Sequence, residues 1–155
     1  MISRYVSEAE GYKSPTAIRL GIYNTPDAAT LRRMEAVAQA MFDPLRAAFG
    51  RPLRVTSFYR SPALNQAVNG SPTSQHVRGE AIDMDGDATR LDNAELFDYV
   101  RRRLPFDQLI WEYGSARSPA WVHASYVTHR PNRGQVLRVL AGGSTLGVGA
   151  RQPPW

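Results

Sequence analysis

The chain of 155 residues contains three histidines, and two of them stand where they could share a metal ion. His76 lies in the polar stretch 71–79, and Asp83 follows it on what reads as the next strand. His123 lies in a second strand-like run, Trp121-Val122-His123-Ala124-Ser125. Two imidazoles and a carboxylate make three nitrogen or oxygen ligands, and catalytic zinc sites use three protein ligands with a fourth position kept for water. A histidine in a strand serves equally as a hydrogen-bonded core or surface residue, and there is no His-Glu-x-x-His helix. Spacing by itself therefore leaves both readings open. The run from Ser74 to Asp83 has the form S-x-H-x-x-G-x-A-x-D. Gly79 would let the backbone turn tightly behind His76, and the small Ala81 would let its strand pack closely.

Other reactive patterns are weaker. Asp83-Met84-Asp85-Gly86-Asp87 has the acid spacing of a calcium loop, but its sixth position is Ala88 rather than Gly and its twelfth is Ala94 rather than Glu. Asp85 and Asp87 read as turn acids, with support of His76 or His123 as a further option. His129, in Thr128-His129-Arg130-Pro131, reads as exposed loop. Ser57 and Ser125 lack the G-x-S-x-G elbow of a serine hydrolase.

These residues must be carried by a mixed set of elements. Residues 1–24 show no sustained period. Thr25-Pro26-Asp27 reads as a helix start, with a capping hydroxyl, Pro at the first helical position and an acid in the first turn. Leu31, Met34, Val37, Met41 and Leu45 continue it as one apolar stripe, interrupted at Pro44 and ended by Gly50. Leu53 to Phe58 alternates as a strand, and Ser61-Pro62 opens a short helix to about Val68. Glu80 to Met84 is a short strand. Asp92-Asn93-Ala94-Glu95 has the form of a capping box opening a helix to about Arg103. Strands follow at 107–111, 121–127 and 135–140, with a Gly/Ser/Pro loop at 114–119. Helices mixed with hairpin-connected strands predict an α+β fold with a largely antiparallel sheet. One domain is expected over 1–141, with a Gly/Pro-rich flexible tail at 142–155.

Composition narrows the function classes. No cysteine occurs, which excludes a disulfide scaffold, a thiolate zinc finger and a cysteine nucleophile. No apolar run approaches a membrane span, and Met1 to Tyr5 lacks a basic-then-apolar signal pattern. The net charge is +5, carried almost wholly by arginine, with Lys13 the one lysine. Such charge suits an anionic partner, either nucleic acid or an anionic cell wall. The arginines are scattered, however, and the run Arg101-Arg102-Arg103 sits at a helix end, where cations favour the dipole anyway. No specific nucleic-acid motif is present.

Upstream, Ser57-Phe58-Tyr59-Arg60-Ser61-Pro62-Ala63-Leu64-Asn65 has the form S-x-Y-R-S-P-x-x-N. Together with the His76–Asp83 segment and Trp121-Val122-His123, it resembles the zinc D-alanyl-D-alanine carboxypeptidase and endolysin peptidase family, of hedgehog/DD-peptidase fold, over roughly residues 16–127. The resemblance implies that His76, Asp83 and His123 hold one zinc ion per chain. It further implies that Arg60 holds a substrate carbonyl or carboxylate, and that Ser74 and Tyr59 help bind the peptide. Several relatives carry Glu three residues before the last histidine; here Ala120 stands there. Glu112 is the best substitute as general base, brought to the metal by the hairpin, and Asp107 is the second candidate, set on the opposite face by strand alternation. The substrates implied are peptidoglycan stem peptides, cut as a D-Ala-D-Ala carboxypeptidase or as an L-Ala-D-Glu-type endopeptidase. A monomeric phage or prophage lysis enzyme, acting on the wall, fits the small size. The competing class is a catalytically inactive zinc-binding or virion module on the same scaffold.

Overall fold

Alternation along the strands sorts this chain into an apolar core and a polar site. The computed structural model describes residues 1–140, 142 and 145–150. Strands β1 (Arg54–Ser57), β2 (Ala81–Asp85), β3 (Gln108–Glu112), β4 (Trp121–Ser125), β5 (Gln135–Val139) and β6 (Thr145–Ala150) form one sheet in the order β1-β2-β4-β3-β5-β6. Every neighbouring pair is antiparallel except β3 with β5, so the α+β, largely antiparallel expectation holds. Ile82, Met84, Leu109, Val122 and Ala124 turn to one face and join the main apolar cluster. Asp83 pairs with His123, and His123 with Ile110. Directly paired residues share a face and successive side chains alternate, so Asp83, His123, Ile110 and Glu112 all lie on the other side.

Helices cover the apolar face. The amphipathic stripe forms α3 (Ala28–Val37) and α4 (Asp43–Phe49), after the short α1 (Glu8–Tyr12) and α2 (Pro15–Leu20). Asp27, rather than Thr25, caps α3: its carboxylate accepts from the Thr30 N–H at 2.7 Å. Pro44 does not split the stripe. A π-helical turn, Ala38–Phe42, absorbs the break, with the Asp43 N–H reaching back to the Ala38 carbonyl, and Pro44 falls in the first turn of α4, where a missing N–H costs nothing. Met34, Val37, Met41 and Leu45 are buried as predicted, Leu31 is only partly buried against the core, and Phe42, outside the predicted stripe, is buried as well. Ser61 caps α5 (Pro62–Ala67), and Asp92 caps α6 (Asn93–Arg103) through the Ala94 N–H. The edges of the stripe prediction miss α1 and α2, which are too short to show a period but carry their own caps, Ser7 with Glu10 and Ser14 with Pro15.

The stretch 142–155, expected as a loose tail, contributes the edge strand β6, paired antiparallel with β5; residues 151–155 lie outside the described residues. Glycines at 147 and 149 alternate with Leu146 and Val148, and the poor strand propensity of glycine makes the run read as loop.

One glycine sets the approach to the site. Gly79 ends the 3₁₀ turn Gln75–Arg78 at φ +69°, and a Cβ there would stand 2.8 Å from Met34 Cγ and Thr30 Cγ2. Both the left-handed backbone and the space against α3 demand glycine. Gly79→Ala is expected to destabilise the protein by at least ~2 kcal/mol, read as a lower urea midpoint with an unchanged slope.

Candidate active site

The sheet register and one turn bring three side chains together. Asp83 on β2 and His123 on β4 are direct neighbours. His76 arrives from the 3₁₀ turn just before β2, and its Nδ1 lies 2.7 Å from the Phe58 carbonyl oxygen. Asp83 Oδ1 lies 2.8 Å from His123 Nδ1 and 3.2 Å from His76 Nε2, and those two nitrogens are 3.3 Å apart. All three residues are buried, and they form a group whose ligand atoms could share one ion.

The chemistry of this donor set favours a cation. A carbonyl only accepts, so His76 Nδ1 carries the proton, and Nε2 of the neutral ring presents a lone pair. Burial pushes the His76 imidazole below its ordinary value, favouring that neutral ring, although Asp83 works in the opposite direction. Burial works upward on Asp83, yet the charge and hydrogen bonds that the two imidazoles offer when protonated hold its carboxyl far below the usual carboxylate range, and a neutral His76 gives up its share of that support. A nitrogen lone pair thus faces a carboxylate oxygen across 3.2 Å in a buried setting. A metal ion shared by the three groups satisfies both, and two imidazoles with one carboxylate are a donor set that zinc accepts.

The trio opens on a cavity of about 1060 Å³, lined also by Tyr59, Arg60, Ser74 and Glu112. Arg60 follows β1, where Ser57 pairs with Asp83. Its Nε donates to Ser57 Oγ at 3.0 Å and its Nη2 to Asp83 Oδ2 at 3.3 Å, so the guanidinium is aimed beside the trio. Ser74 begins the turn that carries His76. Tyr59 is half-buried against the core, and its backbone N–H bonds the Gly11 carbonyl. Glu112 ends β3 opposite Trp121, two positions beyond the residue level with His123. Burial pushes its carboxyl above the usual glutamate range; His123 and Arg60 pull against this and Asp83 adds to it. Asn65 Nδ2 donates to the Ser71 carbonyl at 2.9 Å, tying α5 to the loop that leads to His76.

Residues 5–125 match the family described as Peptidase M15. The chain belongs to that family. Membership makes it a metallopeptidase by descent, and the His76–Asp83–His123 group fits the metal site such an enzyme needs. No curated protein matches the chain. Among the described residues, no helix of this M15 peptidase is long and apolar enough to cross a membrane.

Several residues that position the site escaped sequence reading. Asn24 is buried and spans three segments: its Nδ2 donates to the Tyr12 and Tyr59 carbonyls, and its Oδ1 accepts from the Ser61 N–H. Glu80, fully buried just before β2, accepts from Arg78 Nε at 2.7 Å and sits 3.2 Å from His129 Nδ1. Asp85 and Asp87 serve elsewhere than at the histidines: Asp85 accepts from Arg54, and Asp87 from Asn93. Asp107, named from sequence only as the second candidate for general base, is fully buried just before β3, does not line the cavity of the trio, and accepts from Gln75, Arg130 and Arg133. Burial works upward on its carboxyl, but hydrogen bonds from the two arginines outweigh it and hold it far below the ordinary range.

That depression has a pH consequence for the M15 peptidase. A carboxyl lowered in the folded state contributes stability above its unfolded value of ~3.9 and loses it as pH falls through the folded value. Stability at neutral pH is expected to exceed that at pH ~2, and Asp107→Asn should flatten this acid slope. The same variant should lose ~1–2 kcal/mol at pH 7, because buried Gln75 and the two half-exposed arginines lose their shared anion. Urea unfolding across pH checks both.

Proposed function

We propose that this M15 peptidase hydrolyses peptide bonds in peptidoglycan stem peptides, with zinc held by His76, Asp83 and His123 and with Glu112 as general base. The observation that carries the reading is the placement of a partly desolvated carboxylate, Glu112, on the sheet face and in the cavity of the buried trio. When bound, zinc supplies Lewis acidity, which brings water ionisation toward neutral pH and polarises a carbonyl.

The protein's own groups account for the remaining roles. Glu112, with its carboxyl raised toward neutrality, takes the proton of the attacking water and returns it to the nitrogen of the departing amine. Arg60, already oriented by Ser57 and Asp83, presents its planar guanidinium to the oxygen that gains charge in the transition state. Ser74 and Tyr59 line the approach and hold the peptide backbone. Ala120 costs this arrangement nothing, because its N–H bonds the Glu112 carbonyl and the carboxylate is supplied from the neighbouring strand instead. The arginine-rich surface draws the enzyme to an anionic wall. The bond cut is either a terminal D-Ala-D-Ala or an internal L-Ala-D-Glu type.

The purified protein is expected to carry about one zinc per chain, and His76→Ala to abolish it, as measured by atomic emission. Glu112→Gln should keep the metal and lose ~10²–10⁴ in rate. Mass spectrometry of peptidoglycan incubated with the enzyme reads activity and bond together: new stem-peptide termini support the proposal, and an unaltered fragment profile with a zinc-loaded protein overturns it.

A further inference from the structure

Two arginines converge on one buried carboxylate at the edge of the same cavity. Arg130 reaches Asp107 with Nη1 at 2.6 Å from Oδ1 and Nη2 at 3.0 Å from Oδ2. Arg133 places Nη2 2.6 Å from Oδ2 and Nε 3.1 Å from each oxygen, and its backbone N–H adds a bond at 3.0 Å. Asp107 is fully buried, whereas the arginine side chains remain 36% and 49% exposed. Two positive charges against one negative leave a net positive locus, and both arginines line the cavity of the metal trio.

These forks are fixed before any ligand arrives. Gln75, the neighbour of His76, donates to the same Asp107 carboxylate at 3.1 Å, so the arginines and the turn bearing His76 share an anchor. Pre-ordered arginines spend little rotamer entropy on binding; the edges turned to Asp107 are taken, so a ligand carboxylate would meet the surplus positive charge and the N–H groups that do not contact Asp107. The charge around them agrees. Lys13, Arg60 and Arg78 line the cavity as well, against Asp83 and Glu112 as its acids.

Register fixes the direction. His123 is level with Ile110, Glu112 ends β3 on one side, and Asp107 precedes β3 on the other. Three strand residues span about 10 Å, the length of about three residues of extended peptide. A substrate lying across the trio therefore brings a group one to three residues from the reacting bond up to the arginines.

We propose that Arg130 and Arg133 form a carboxylate-reading subsite, which selects peptides carrying an acidic group one to three residues from the bond cut, and that Asp107 is its positioning residue. The subsite rests on the peptidase reading for its place in catalysis, but its carboxylate preference can be measured apart from catalysis. The family match ends at residue 125, before both arginines.

The test uses the full chain, metal-free, and two probes: the tripeptide L-Ala-γ-D-Glu-L-Lys and the same tripeptide with the glutamyl α-carboxyl converted to carboxamide. Calorimetry is expected to show the acid bound at least about tenfold more tightly. Arg130→Gln and Arg133→Gln should each bring the ratio of acid to amide affinity toward one. Asp107→Asn should lower it as well. If a glutamine variant does not fold, Arg133→Lys keeps the charge, loses the fork and should still lower the ratio. Arginines that only brace the loop would lower thermal stability and leave the ratio intact, which overturns the proposal, as does equal or unmeasurable binding of both probes by the parent protein. A persistent acid preference in a zinc-loaded protein that cleaves nothing sinks the peptidase reading and leaves the subsite standing. Cleavage of both probes without preference does the reverse.

Discussion

Asp83 Oδ1 meets two imidazole nitrogens at 2.8 and 3.2 Å, and one of them, His76 Nε2, has no proton to offer it in the neutral ring. The Phe58 carbonyl has already claimed the proton of that imidazole on the opposite nitrogen. In a buried setting such opposed lone pairs are costly, because low dielectric magnifies repulsion as readily as attraction. A shared cation removes the conflict. Much of the fold can be understood as the means of holding this arrangement: the β2–β4 register sets Asp83 against His123, and the Gly79 turn, pressed on α3, delivers His76 from before the strand.

The same register separates chemistry from stability. Ile82 and Met84 flank Asp83, and Val122 and Ala124 flank His123, so each ligand is held by neighbours anchored in the core behind it. Asp83 and His123 project from strands, while His76 projects from a 3₁₀ turn and is oriented by the Phe58 carbonyl. Glu112 gains from this too, because the step of two residues from Ile110 returns it to the face of the trio.

Strand alternation and helical stripes were legible because they are local: β2, β4, α3 and the caps of α5 and α6 all follow from neighbours in sequence. The trio was legible as ligand types in a specific phrase, S-x-H-x-x-G-x-A-x-D, although only the folded register shows that they meet. The π turn before Pro44 was hidden because it relieves a break that sequence shows only as a break. β6 was hidden because its glycines, poor strand formers, make the run read as loop. Asn24 and the Asp107 cluster were hidden for a different reason. Their meaning depends on partners 32 to 37 residues away for Gln75 and Asn24, and on the arginines beyond β4, and no local pattern links them. Nothing local distinguishes Arg130 from the other scattered arginines of a basic chain.

The central claim is that His76, Asp83 and His123 hold one divalent ion. Anomalous diffraction at the zinc edge from crystals of the zinc-loaded protein tests it most directly. A single strong peak shared by His76 Nε2, Asp83 and His123 Nδ1 is the result this account predicts. A loaded crystal with its anomalous peak elsewhere, and none among these three side chains, would contradict it.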